Sequence, residues 1–128
     1  MVVGIGAPYG SRVTRSVLIV DDDEALREAL AEVLAEEGLE VSCSANGQEA
    51  LRALRSGLRP DLILLDLMMP VMDGWAFREE QAREPLLASI PVVVITAAHA
   101  LHKPIDARAV VWKPFKVEEL LGAIQRLG

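Results

Sequence analysis

Four short, unbroken apolar runs constrain this chain more than anything else in it: Val17-Leu18-Ile19-Val20, Leu62-Ile63-Leu64-Leu65, Val92-Val93-Val94-Ile95 and Val110-Val111-Trp112. A strand with one wet face alternates apolar and polar residues, whereas a strand that is apolar at every position is covered on both faces. Leu39 to Cys43 reads as one further strand. Between these stretches the period changes to that of amphipathic helices. Leu26, Leu30, Val33 and Leu34 share a face after Asp23, and Gly38 supplies a stop. Asn46-Gly47 leads into a helix with Ala50, Leu51 and Leu54 inward, ended by Gly57. Pro70 and Asp73-Gly74 mark a loop before a short helix from about Trp75 to Arg83. A last helix starts near Lys116, with Leu120, Leu121, Ile124 and Leu127 on one face. Covered strands separated by such helices define a doubly wound α/β fold around a five-stranded parallel sheet. Two strand orders are common for such sheets and the apolar pattern alone does not choose; the flavodoxin-like order 2-1-3-4-5 is the expectation.

At 128 residues the chain suits one ordinary domain and is too short for two. Residues 1–15, with Gly4, Gly6, Pro8 and Gly10, read as a flexible arm or an expression remnant, and 16–128 as the folded domain. Gly4-x-Gly6 does not open a dinucleotide fingerprint, because no strand precedes it and Gly10 falls at the wrong spacing. Thirteen Lys and Arg against nineteen Asp and Glu leave a net charge of −6, so direct nucleic-acid binding is not expected. The lone Cys43 cannot form an internal disulfide, which points to a reducing, cytoplasmic setting. No apolar run approaches the roughly 20 residues of a membrane span, and Met1 to Arg15 lacks the pattern of a secretory signal.

Ligands of an open α/β sheet sit beyond the carboxyl ends of its strands. Those ends carry Asp21, Asp22 and Asp23 after the first strand, Asp66 after the third, Thr96 after the fourth and Lys113 after the fifth. Crowded carboxylates raise one another's pKa unless a cation compensates them. Hard oxygen donors beside open positions suit Mg²⁺, which is usually held by one or two carboxylates plus phosphate oxygens. Aspartate also caps helices, and Asp23 is expected to do so. Two acidic residues at one strand end and a third at its neighbour's exceed what capping requires. His99 and His102, three apart in a short polar segment, do not have the helical setting of a phosphodonor histidine. Met68, Met69 and Met72 are expected to serve loop packing rather than a partner groove, and Trp112 reads as either strand-face core or an exposed anchor, with core favoured.

Val20-Asp21-Asp22, the stretch from Asp61 through Asp66 to Pro70, Met72-Asp73-Gly74, Thr96-Ala97 and Lys113-Pro114-Phe115 together resemble the receiver domain of two-component response regulators. The resemblance covers about residues 16–127. It implies that Asp66 is the acceptor of an aspartyl phosphate. It implies that Asp22 and Asp66 ligate Mg²⁺ directly, with Asp21 acting mainly through water and the Met68 backbone carbonyl completing the ligands. Thr96 would donate its hydroxyl to a phosphoryl oxygen, Lys113 would pair with another, and the Lys113-Pro114 bond would be cis. The implied partner is a histidine kinase or histidine phosphotransfer protein. The downstream partner or output domain stays open, no membrane is involved, and the domain is a monomer or weak dimer. Such a domain is a regulatory phosphoacceptor that catalyses only its own phosphorylation and dephosphorylation.

Three departures stand out. Receivers usually carry an aromatic switch residue three positions before the lysine, and here that position is Val110. Only thirteen residues, Ala97 to Ala109, lie between Thr96 and the last strand, and Pro104 disfavours helix at Lys103. The fourth helix is therefore expected to be short or absent, and the output face unusual. Finally, the positions that position hydrolytic water in the family are Met68 and Ala98, neither of which can orient it, so a long-lived phosphoryl group is expected. Two other functions compete: an aspartate-nucleophile phosphatase, disfavoured because Met68 stands where its acid would be, and an unphosphorylated scaffold, disfavoured by the intact polar set.

Overall fold

In the computed structural model, which describes residues 13–97 and 103–127, the four apolar runs form four of the five strands of one parallel sheet. Its strands are β1 (Ser16–Val20), β2 (Glu40–Ser44), β3 (Leu62–Leu65), β4 (Val92–Ala97) and β5 (Ala109–Lys113). They are arranged β2-β1-β3-β4-β5, the expected order, with every neighbouring pair parallel. All of β3 is buried, as are Val17 to Val20 of β1, and this explains why those runs are apolar at every position.

Four helices cover the sheet among the described residues: α1 (Glu24–Glu36), α2 (Gly47–Arg55), α3 (Gly74–Arg83) and α4 (Val117–Leu127). Alternation along the strands divides the core in two. Leu18, Val20, Ile63, Leu65, Val92 and Val94 pack with Leu51, Leu54 and Phe77 of α2 and α3. Val17, Ile19, Leu62, Leu64, Val93, Ile95 and Val111 pack with Leu30, Leu34, Leu120 and Ile124 of α1 and α4. Three helices begin with a side-chain cap: Asp23, Asn46 and Asp73 accept hydrogen bonds from the backbone N–H groups of Leu26, Glu49 and Ala76 at 3.1, 2.9 and 2.9 Å. Asp23 is thus the cap that its position suggested.

Some features differ from the sequence reading or add to it. Gln81, a polar residue of α3, is fully buried, and its amide donates to the carbonyls of Leu87 and Ile90 at 2.9 and 3.0 Å. It fixes the turn that delivers the chain into β4. Trp112 was expected in the core, yet it is 43% exposed. β5 is a sheet edge, so its outer flank has no neighbouring strand to shelter a large ring. Met69 and Met72 pack against the core as expected, whereas Met68 is exposed. Arg15, at the end of the proposed arm, is tied to the sheet: its N–H donates to Asp61 at 2.9 Å and its carbonyl accepts from Glu40 at 2.8 Å. Residues 103–108 contain no helix, in line with a shortened fourth helix. The remainder of that segment, with Ala98, His99 and His102, lies outside the described residues, as do Gly4, Gly6, Pro8 and Gly10. No helix among the described residues is long and apolar enough to cross a membrane.

Candidate functional site

Strand pairing brings the polar residues together. Val20 and Leu65 are register partners on β1 and β3, so the next residues, Asp21 and Asp66, emerge side by side. The Asp66 N–H donates to the Val20 carbonyl at 2.9 Å, and the Asp21 N–H to the Ser44 carbonyl at 3.2 Å, which extends the ladder through both aspartates. Arg27 of α1 donates to the Asp21 carbonyl at 2.7 Å and braces the loop from above. Asp21 and Asp66 are buried and Asp22 is exposed, and one carboxylate oxygen of each lies within 4.8 Å of the others. Lys113, at the end of β5, reaches across β4 to this cluster, donating to Asp21 Oδ2 at 3.0 Å and to Asp66 Oδ2 at 3.4 Å. The Lys113-Pro114 bond is cis, as the resemblance implies.

Burial raises the Asp66 carboxyl above its ordinary pKa, and the neighbouring charge of Asp21 adds to this; Lys113 and the Met68 N–H only partly offset them. Burial by itself pulls the Lys113 ammonium down, but hydrogen bonds and charge from Asp21 and Asp66 together outweigh it, and its pKa is raised. Each group is therefore perturbed by the other's presence, a pattern common in functional sites.

The donor set suits a small divalent cation. Asp21 is already engaged through both oxygens, Oδ1 by the Asp23 N–H at 2.9 Å and Oδ2 by Lys113. Asp22 is exposed, and Asp66 is held only by longer bonds, Oδ1 by the Met68 N–H and Oδ2 by Lys113, both at 3.4 Å, so these two carboxylates are the more open to a hard ion with several water positions. Thr96 completes the arrangement: it is fully buried, and Oγ1 has no hydrogen-bond partner among the described residues. A buried hydroxyl left unmatched is costly, and it lies at the strand end where a phosphoryl oxygen could accept from it.

Two backbone features of the loop after β3 were not legible beforehand. Val71 has φ 68°, rare for a β-branched residue, and the Met72 N–H donates to the Pro70 carbonyl across it at 2.7 Å. Gly74, the first residue of α3, lies so close beneath the loop that a Cβ would meet the Asp66 carbonyl and Leu67 Cα at 2.7 Å. Both contacts are backbone and cannot swing aside. Gly74→Ala is expected to lower stability by about 1–3 kcal/mol, read as a shifted denaturant midpoint; an unchanged midpoint would show that the loop yields freely.

Residues 17–125 match the response regulator receiver domain family, and the chain belongs to it. It is 35% identical over 116 residues to the DNA-binding dual master transcriptional regulator RpaA of Synechocystis, a match that covers 87% of this chain and 48% of that protein. The chain thus spans about half the length of curated relatives of this kind. Among solved structures, the signal receiver domain of a signal transduction histidine kinase from Syntrophus aciditrophicus is 36% identical, with a TM-score of 0.79 over 88% of this chain and 89% of that one. The response regulator protein TrrA of Thermotoga maritima, solved in complex with Mg²⁺ and BeF, is 32% identical, with a TM-score of 0.79 over 89% of this chain and 99% of that one.

Proposed function

We propose that residues 16–128 form a phosphoacceptor unit that takes a phosphoryl group from a histidine kinase or histidine phosphotransfer protein onto Asp66. The observation that carries this reading is the fully buried Thr96 hydroxyl, without a hydrogen-bond partner among the described residues, at the same sheet edge as a carboxylate that Lys113 contacts. Asp22 and Asp66 would hold Mg²⁺ directly with the Met68 carbonyl, and Asp21 mainly through water. When bound, that ion supplies neutralisation of charge on the transferring oxygens. Asp66 Oδ forms the new bond to phosphorus as the bond from phosphorus to the donor nitrogen breaks, and the donor keeps the electron pair. Lys113 holds one equatorial oxygen and Thr96 donates to another. Because Thr96 has no partner among the described residues beforehand, its hydrogen bond is a gain specific to the modified state, and such differential gains shift conformational populations.

The test uses acetyl phosphate and Mg²⁺, with intact mass as the readout. Transfer from this donor breaks the phosphorus–oxygen bond to acetate, which leaves with the electron pair. The wild type is expected to gain one phosphoryl mass and Asp66→Asn to gain none. Turnover of many donor molecules without a mass gain would favour a phosphatase, and an unchanged mass in both proteins a scaffold. Met68 is exposed beside Asp66 and has no group that orients water, so the phosphorylated form is expected to persist over minutes or longer; decay within seconds would contradict this.

A further inference from the structure

We propose that Trp112 is the side chain through which the state of Asp66 reaches the protein surface. The inference rests on the reading of Asp66 as the phosphoacceptor. Trp112 is attached to the site from two directions. Along the chain it precedes Lys113, whose ammonium contacts both Asp21 and Asp66. Across the sheet it is the register partner of Thr96, the residue with the unmatched buried hydroxyl.

Alternation along β5 and β4 puts the two side chains on one face. Val110 packs with the α2–α3 side of the core and Val111 with the α1–α4 side, so Trp112 returns to the side of Val110. On β4, Val94 and Ile95 alternate in the same way, so Thr96 shares the face of Val94 and of Trp112. The indole and the hydroxyl-bearing side chain are therefore lateral neighbours. Val110, two residues earlier, is partly buried and has no ring. Trp112 is 43% exposed and is the large apolar side chain that β5 presents to solvent among the described residues.

Phosphorylating one Asp66 oxygen converts the carboxylate to a mixed anhydride, which removes its charge and places phosphoryl oxygens beyond it. Lys113 then gains phosphoryl oxygens in place of its 3.4 Å bond to Asp66 Oδ2, and Thr96 Oγ1 gains an acceptor. Both movements occur in residues directly joined to Trp112, one by a peptide bond and one by strand pairing. A rigid aromatic group at a sheet edge amplifies such a shift, because its ring turns as a unit.

The protein has two tryptophans, Trp75 and Trp112, so 5-fluorotryptophan labelling yields two ¹⁹F resonances, assigned with Trp75→Phe and Trp112→Phe. With acetyl phosphate and Mg²⁺, and intact mass measured on the same samples, the Trp112 resonance is expected to move by more than its linewidth in proportion to the phosphorylated fraction. In Thr96→Val, at matched phosphorylated fraction, the shift is expected to fall to half or less, and in Thr96→Ser to stay close to wild type. An unmoved Trp112 resonance in fully phosphorylated wild type overturns the proposal, as does an undiminished shift in Thr96→Val. If the wild type gains no mass, the acceptor reading fails and this inference fails with it; a mass gain with a silent Trp112 sinks the inference alone.

Discussion

Asp66→Asn protein is expected to unfold at a higher temperature than the wild type at neutral pH without divalent cations, each 1 kcal/mol of difference appearing as about 3–5 °C in a domain of this size. The Asp66 carboxyl is raised first by burial and then by Asp21, against weaker opposition from Lys113 and Met68. An acid raised in the folded state contributes stability while protonated. That contribution is present below the unfolded pKa, about 3.9 for aspartate, and is lost as pH rises through the higher folded value. At neutral pH the wild type has lost it, whereas asparagine has no charge to bury. The gap between the two proteins should therefore close as pH falls through the folded pKa of Asp66. Lys113 does not confuse the comparison. Its pKa is raised too, so its stabilisation is complete at neutral pH and is lost only at alkaline pH. Addition of Mg²⁺ should reverse the order, since an ion bound only by the folded wild type stabilises it by about 2.7 kcal/mol at a hundredfold excess over Kd. Thermal unfolding followed by circular dichroism between pH 4 and 8, with and without Mg²⁺, reads all of this. A wild type as stable as Asp66→Asn at pH 7 in the absence of the ion would show that the acidic pair is not under strain.

Much of this arrangement is legible in the sequence, because the forces that set it act on neighbours along the chain. Leu62 to Leu65 are apolar at every position since β3 is covered on both faces, and the aspartate that follows must then leave the core at the strand's carboxyl end. Asp21 follows β1 for the same reason, and parallel pairing aligns the two without further information. What stayed hidden depends on what is packed around a residue. Polarity places Gln81 on the surface, yet its amide satisfies two buried carbonyls that only the folded turn creates. Trp112 looks like core because it ends an apolar run, and its exposure follows from the place of β5 at the sheet edge. The positive φ of Val71 has no residue signature, since glycine or asparagine is the usual sign of such a turn. The stronger bond of Lys113 to Asp21 than to Asp66, 3.0 against 3.4 Å, is a matter of side-chain reach that spacing does not encode.

That preference makes Lys113→Met the most consequential single change. Removing one partner of a buried ion pair costs about 3–5 kcal/mol because the remaining charge is left uncompensated. Lys113 is about a quarter exposed while Asp21 is fully buried, so solvent screens part of the loss and about 2 kcal/mol is expected in the absence of divalent cations. Most of that penalty arises from two carboxylates facing one another without a cation. Asp66→Asn removes one of the two charges, so the double variant Asp66→Asn/Lys113→Met should be more stable than Lys113→Met alone, and the two effects should not add. Mg²⁺ should also recover part of the stability of the single variant, because it compensates the same charges. It should not recover phosphorylation. An ion held by Asp22 and Asp66 does not take the place of the ammonium on the remaining equatorial oxygen, and loss of one such charge donor typically slows transfer by about 100-fold. Uptake from acetyl phosphate, followed by intact mass at saturating Mg²⁺, separates the two roles. If Lys113→Met is phosphorylated within a factor of about two of the wild-type rate, the ammonium serves only to hold Asp21 and Asp66 together in the unmodified protein, and the part assigned to it in transfer is wrong.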